Sequence, residues 1–152
     1  MNNKNIVIFD LDGTLAIVDA RRKISTKSNG KMDWDKFLVP DNIKLDIPND
    51  PVVKMAQLLA EDGFNIFIFS GRSDRTINVT RSWLTRNRIP FHKLVMRDQA
   101  KLFIPDDQLK KQFLDKHVDI DNIFAVFDDR QKVVDMWRKN GLTTFQVADG
   151  NF

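Results

Sequence analysis

Two aspartates, Asp10 and Asp12, stand one residue apart at the end of an apolar run, Ile6 to Phe9, and Gly13-Thr14 follow them. Carboxylates this close repel, and burying them costs free energy unless a positive charge offsets it. Such a pair either lies on a solvent-exposed turn or serves a cation. Two more apolar runs end in residues that can do chemistry. "NIFIF" leads into Ser70, Gly71 and Arg72, a hydroxyl and a guanidinium suited to an anion. "IFAVF" leads into Asp128 and Asp129, a second pair of carboxylates.

These residues need a scaffold that gathers distant strand ends. Strand-like and helix-like segments alternate along the chain. Ile6 to Phe9, "NIFIFS", "KLVM", "IFAVFDD" and "TTFQV" read as five strands. "NDPVVKMAQLLAEDGF" reads as a helix capped by Asp50, with Pro51 in its first turn and Gly63 at its end. "DRTINVTRSWLTRNRI" has helical spacing, with Ile77, Trp83 and Leu84 inward. "PDDQLKKQFLDKHV" and "RQKVVDMWRKNG" read as two further helices, the second closed by Gly141. Residues 15–49 read as polar and irregular, with Trp34, Phe37 and Leu38 on one helical turn. Strands that are continuous apolar runs between helices predict a parallel sheet covered on both faces. Ligands of such sheets bind beyond the carboxyl ends of the strands. Asp10, Asp12, Asp128 and Asp129 would converge there, and a hard cation with oxygen ligands would neutralise them.

Composition narrows the class. The chain has 152 residues, a length expected of one domain, with 42% hydrophobic residues and no cysteine. A disulfide scaffold and a thiolate metal site are thereby excluded. The sequence has no long apolar stretch, so no membrane span is expected. "MNNKN" lacks the length and cleavage site of a signal peptide, and the default reading is cytoplasmic. The formal net charge of +3 is compatible with an anionic partner.

The ordered set "FDLDGTL", "FSGR", "PDDQLK" and "FDDR" resembles the haloacid-dehalogenase-like phosphatase superfamily. Arg21, Arg72, Asp106 before Lys110, and the stretch from Phe127 to Phe152 resemble, more narrowly, the 3′-phosphatase domain of phage-type polynucleotide kinase/phosphatase. The chain starts just ahead of the first motif, so no kinase domain is expected upstream. The resemblance implies a Rossmann-like three-layer α/β/α sandwich around a parallel sheet. It also implies a phosphomonoesterase in which Asp10 is the nucleophile and forms an aspartyl-phosphate. Asp12 would be general acid and then general base, its backbone carbonyl on the metal. Mg²⁺ would be held by Asp10, Asp12, Asp128 and Asp129. Ser70 and Gly71 would meet the phosphoryl oxygens, and Thr14 would steady the first turn. Lys110 or the adjacent Lys111 would neutralise charge between phosphate and Asp10. Arg21, or Arg22 beside it, and Arg72 would grip the phosphate or the next nucleotide. Asp106 would orient an Arg or Lys. His92 and His117 read as surface residues. Aromatics at helical spacing read as core, with Trp34 left open because it lies in the irregular segment near the site.

Residues 15–49 offer roughly 35 residues, short of the ~50 of a small domain. A short flap is therefore expected, not a full cap, and an open site admits a phosphate on a polymer end. The basic balance and the narrower resemblance both point to nucleic-acid 3′ ends as substrate. A separate kinase or ligase partner is compatible with it. The alternatives are a small-molecule phosphatase such as a nucleotidase, a non-catalytic phosphate-binding module, and a phosphotransferase. The resemblance carries no contacts to sugar or bases for the segment between Asp19 and Pro48.

Overall fold

A computed structural model describes residues 3–151; Met1, Asn2 and Phe152 of the expected 1–152 domain lie outside the described residues. In chain order the elements are β1 (Ile6–Phe9), β2 (Ala16–Ile17), α1 (Asp19–Ser25), α2 (Trp34–Phe37), α3 (Pro40–Ile43), β3 (Ile47–Pro48), α4 (Asp50–Glu61), β4 (Asn65–Ser73), α5 (Ile77–Arg86), β5 (Lys93–Arg97), α6 (Asp106–His117), β6 (Ile123–Asp128), α7 (Gln131–Lys139) and β7 (Thr144–Gln146). Five strands form one parallel sheet in the order β5-β4-β1-β6-β7. β2 and β3 pair antiparallel outside it. No described helix is long and apolar enough to cross a membrane.

The two-residue period of a strand sends alternate side chains of β1 to opposite faces. Val7 and Phe9 pack with Val52, Val53 and Ala56 of α4 and Trp83 and Leu84 of α5. Ile6 and Ile8 pack with Leu109, Phe113 and Leu114 of α6 and Val133 and Trp137 of α7. The sheet is thus the middle layer of three. Burying a side chain of this size stabilises by ~1.5–3 kcal/mol, and β1, with β4 and β6 beside it, contributes such residues to both halves of the core. Across the sheet, Phe9 stacks on Phe127 (4.5 Å between ring centroids) and Phe127 on Phe145 (4.9 Å), in register on β1, β6 and β7.

Three local readings differ from the sequence. The N-cap of α4 is Asn49, not Asp50. Asp50 sits in the first turn, where the helix dipole favours an acid, and the Asn49 amide donates to the Thr14 carbonyl at 3.0 Å. The segment "DRT" is a separate 3-10 turn, Asp74–Thr76, ahead of α5. The insert after β1 is not irregular, because it holds α1, α2, α3 and the β2–β3 pair. Its short elements carry little apolar periodicity, and a buried polar cluster described below holds them to the sheet.

Candidate active site

The loops beyond the carboxyl ends of β1, β4 and β6 meet, and two buried charge clusters form there. The first surrounds Asp10, whose backbone N–H donates to Phe127 O at 2.9 Å. Lys110, one turn into α6, donates to Asp10 Oδ1 at 2.6 Å and to Asp128 Oδ2 at 2.9 Å. Thr14 Oγ1 donates to Asp10 Oδ2 at 3.0 Å and lies 3.4 Å from Asp129 Oδ1. Asp128 is held further by the Trp137 Nε1–H at 3.1 Å and by the N–H of Asp129 at 2.9 Å. Gly13 makes the turn possible: its φ is +87°, and a Cβ there would run into the Asp129 carboxylate.

Asp10, Asp128 and Asp129 each offer an oxygen within 4.8 Å of the others, all three residues buried. At that separation and an effective dielectric of about 20, each carboxylate pair repels by roughly 3–4 kcal/mol. Lys110 brings one positive charge against three carboxylates. Burial pushes the Asp10 carboxyl well above its ordinary range, Lys110 lowers it in part, and Asp128 and Asp129 raise it again. Burial likewise raises Asp129, with Asp128 adding to it. Burial acts to lower the Lys110 ammonium, but Asp10 and Asp128 outweigh it and hold the ammonium above its ordinary value. The donor set is all oxygen and carries a formal charge deficit of two, so it fits a hard dication such as Mg²⁺.

The second cluster is built on Asp12. Its Oδ1 accepts from Arg21 Nη2 (2.8 Å), Arg72 Nε (2.9 Å) and Arg72 Nη2 (2.6 Å). Asp46 receives the same two arginines, at 3.0 and 2.8 Å from Arg21 and 2.8 Å from Arg72. Arg21 also donates to Phe37 O, with its guanidinium 4.1 Å over the Phe37 ring, and Arg72 donates to Thr80. Two guanidiniums and two carboxylates leave this quartet formally neutral. Burial acts to raise the Asp12 carboxyl, but Arg72 and Arg21 outweigh it and hold it at about 2. Burial, then the Asp12 charge, pushes Asp46 up to about 6 against the pull of both arginines.

Arg72 reaches Asp12 because of an irregularity. β4 runs to Ser73, beyond the expected end at Ser70. Ser70 pairs with Met96 and Ser73 with Arg97, so Gly71 and Arg72 are looped out. A bulge of this kind re-aims side chains. Ser70 is buried at the same place, its Oγ accepting from the Arg72 N–H at 3.1 Å. Behind Gly71 stands Asp106, which accepts from Arg97 at 2.5 Å and from Arg130 at 2.6 Å.

The structure therefore gathers Asp10, Thr14, Lys110, Asp128 and Asp129 into one group, and Asp12, Arg21 and Arg72 into its neighbour. Lys110, not Lys111, faces the carboxylates; Lys111 pairs with Asp115 on the outer side of α6. Arg21 is buried and Arg22 exposed. The expectation that Arg21 and Arg72 grip phosphate meets a different geometry. Both side chains are 0% exposed and direct their donors at Asp12, Asp46, Phe37 O and Thr80. Their position favours aiming Asp12. Asp46, Arg97 and Trp137 were not marked by the sequence: Asp46 sits alone between Leu45 and Ile47, and Trp137 reads as core by its spacing. His92 is exposed and accepts from the Ile66 N–H, and His117 is half-buried.

Residues 4–152 match the family described as polynucleotide kinase PNKP phosphatase domain. A bifunctional polynucleotide kinase/RNA ligase of Autographa californica nuclear polyhedrosis virus is 33% identical over 148 residues, 93% of this chain and 19% of that protein. A chain in the structure of a Pnkp1/Rnl/Hen1 complex is 29% identical with a TM-score of 0.79, covering 97% of this chain and 47% of that one. A haloacid dehalogenase-like family hydrolase of Streptococcus pneumoniae shares the fold at 13% identity, TM-score 0.68, covering 96% of this chain and 85% of that one. The chain thus spans about a fifth of the viral relative and under half of the complex subunit.

Proposed function

The chain belongs to the polynucleotide kinase PNKP phosphatase-domain family of haloacid-dehalogenase-like phosphatases, and on that premise we propose that it removes phosphate from the 3′ ends of nucleic acids by way of an aspartyl-phosphate on Asp10. The observation that carries this is the buried Asp10 carboxylate held by Lys110 and Thr14 at the meeting point of three strand ends. Asp10, Asp128 and Asp129, with the Asp12 carbonyl, would hold Mg²⁺, which supplies positive charge to the phosphoryl oxygens when bound.

An Asp10 oxygen bonds to phosphorus while the bond from phosphorus to the 3′ oxygen breaks. Asp12 gives that oxygen its proton. In the second half, water attacks the phosphorus of the aspartyl-phosphate and passes a proton to Asp12, releasing inorganic phosphate and restoring Asp10. Held at about 2, Asp12 is ionised and ready as the base of the second half. An incoming phosphate adds negative charge beside it and raises its pKa for the first half. Arg21 and Arg72 fix its Oδ1; its Oδ2 has no hydrogen-bond partner among the described residues and is the atom that moves the proton. Lys110 neutralises charge between Asp10 and the phosphate, with Ser70 and the Gly71 backbone alongside.

Under this reading residues 1–152 form one cytoplasmic phosphatase domain, with residues 15–49 as a short flap over an open site and no full cap. Kinase or ligase activity would come from other parts or partners, as the names of the viral relative and of the Pnkp1/Rnl/Hen1 assembly suggest. The test is phosphate release with Mg²⁺ from 3′-phosphorylated oligonucleotides, their 5′-phosphorylated isomers and free mononucleotides. Preference for the 3′-phosphorylated ends is expected. Preference for mononucleotides would instead make the chain a small-molecule phosphatase.

A further inference from the structure

Two large aromatic side chains stand in solvent beside the site. Phe103 is 81% exposed and Trp34 is 64% exposed, whereas Trp83 and Trp137 are 1% and 0% exposed. Exposed aromatics commonly lie on mobile tips, but both of these are braced. Phe103 follows Leu102, also exposed, in the loop between β5 and α6. Arg97 clamps that loop: Nη1 donates to Lys101 O at 2.9 Å and Ile104 O at 2.6 Å, while Nε donates to Gly71 O at 2.9 Å. One guanidinium thus ties both flanks of Leu102-Phe103 to the residue between Ser70 and Arg72. Trp34 is braced from the other side. Its ring meets Phe37 edge-on at 5.7 Å, and Phe37 lies under the guanidinium of Arg21, which holds Asp12.

Both supports converge on one short turn. Asp74 accepts from the Gln99 N–H at 3.3 Å, bringing in the Phe103 loop. The next residue, Arg75, lies 3.7 Å from Asp35, the neighbour of Trp34. The turn Asp74–Thr76 directly follows Arg72 and Ser73. The two aromatics are therefore tied to either side of the turn that leaves the bulge at Gly71-Arg72. Lys36, Arg75 and Lys101 are all exposed, Lys36 two residues from Trp34, Arg75 in the turn itself and Lys101 two residues from Phe103. Exposed π-faces alternating with cations are what an unpaired nucleic-acid strand binds, its bases on the rings and its phosphates on the cations.

We infer that Phe103 and Trp34 are stacking platforms for the unpaired bases next to the 3′-phosphate. The occupant is a single-stranded 3′ end, which an open site must hold through its nucleosides. This rests on the 3′-phosphatase reading and names the part of the substrate that the flap and the β5–α6 loop take.

The test compares a 3′-phosphorylated trinucleotide with one whose last two residues are stable abasic sugars. Because Trp34 is the exposed tryptophan, its fluorescence reports stacking without turnover. In the Asp10→Asn chain with Mg²⁺, the base-bearing trinucleotide quenches emission saturably, the abasic one does not, and Trp34→Phe removes the signal. In steady-state assays Phe103→Ala raises KM for the base-bearing trinucleotide about tenfold and leaves KM for the abasic one unchanged. An absent quench, or an unchanged KM for the base-bearing trinucleotide in Phe103→Ala, overturns the inference. If the wild-type chain releases phosphate from both trinucleotides equally well, only the platforms fall. If it releases none from any 3′-phosphorylated oligonucleotide, the 3′-phosphatase reading falls and takes the platforms with it.

Discussion

Lys110 Nζ bridges Asp10 Oδ1 and Asp128 Oδ2, two carboxylates that come from different strands of the sheet. It is the protein's own cation in a cluster of three carboxylates. Lys110→Met keeps the length of the side chain and removes the charge. Leaving a buried ionic group unpaired costs roughly 3–5 kcal/mol, so the variant should unfold markedly earlier without divalent metal. Mg²⁺ should then restore more stability to the variant than it adds to the wild type. Thermal unfolding of both chains with and without Mg²⁺ checks this; equal gains would remove Lys110 from the charge balance of the cluster.

Asp10→Asn and Asp12→Asn should fail differently. Under the proposed mechanism Asp10→Asn lacks the nucleophile, and its turnover should fall by at least about 10³-fold for every substrate. Asp12→Asn retains the nucleophile and should lose roughly 10²–10⁴-fold, with smaller losses for better leaving groups. Rates across a series of phosphate esters separate the two. Near wild-type turnover in Asp10→Asn would end the aspartyl-phosphate mechanism, and a loss in Asp12→Asn independent of leaving group would deny Asp12 the acid's role.

Asp46 gives stability a pH dependence of defined sign. Its pKa is raised from 3.8 to about 6 in the folded chain, so the fold binds its proton more tightly than the unfolded chain does. The associated stabilisation is complete below about pH 4 and is lost as pH rises through about 6, a change of about 3 kcal/mol. Asp12, held at about 2, works in the opposite sense and only below about pH 4. Asp46→Asn does not titrate. Urea unfolding at pH 4.5, 5.5 and 7.0 should show the variant gaining on the wild type as pH rises. A constant difference across that range would mean that Asp46 titrates normally.

Gly71 touches the brace behind the bulge. A Cβ at this position would stand 2.8 Å from Asp106 Oδ1. Asp106 cannot easily retreat, since Arg97 and Arg130 hold its two oxygens. Gly71→Ala should cost about 1–3 kcal/mol of stability by overpacking. It should also lower kcat, because Asp106 opens the helix that carries Lys110. Chemical denaturation and steady-state rates measured on the same preparation test both effects.

The sheet was legible in the sequence because its central strands β1, β4 and β6 are largely buried on both faces and so read as unbroken apolar runs. Asp10, Asp128 and Ser70 were legible for a related reason: a polar residue closing such a run marks a strand end. Lys110 and Lys111 could not be separated by pattern, because the inward face of α6 turns on the phase of Leu109, Phe113 and Leu114 against the sheet. The insert was misread because its anchor is polar. Arg21 lies in "DARRK", which resembles any charged surface turn until Asp46, 25 residues later, closes on it. Nothing local to either residue signals that pairing. The bulge at Gly71-Arg72 was hidden likewise, since a register shift belongs to two strands and not to one stretch of chain.

The quartet of Asp12, Arg21, Asp46 and Arg72 also sets an order of assembly. Its members come from the β1 turn, the insert and the β4 bulge, and Arg72 is 60 residues from Asp12. Closing loops of that length is entropically unfavourable until the strands between them have docked. The three short helices of the insert have too few turns to persist alone in water. Asp12 is therefore aimed only when β1 and β4 have paired and the insert has docked, so under the proposed mechanism proton transfer waits on the finished fold.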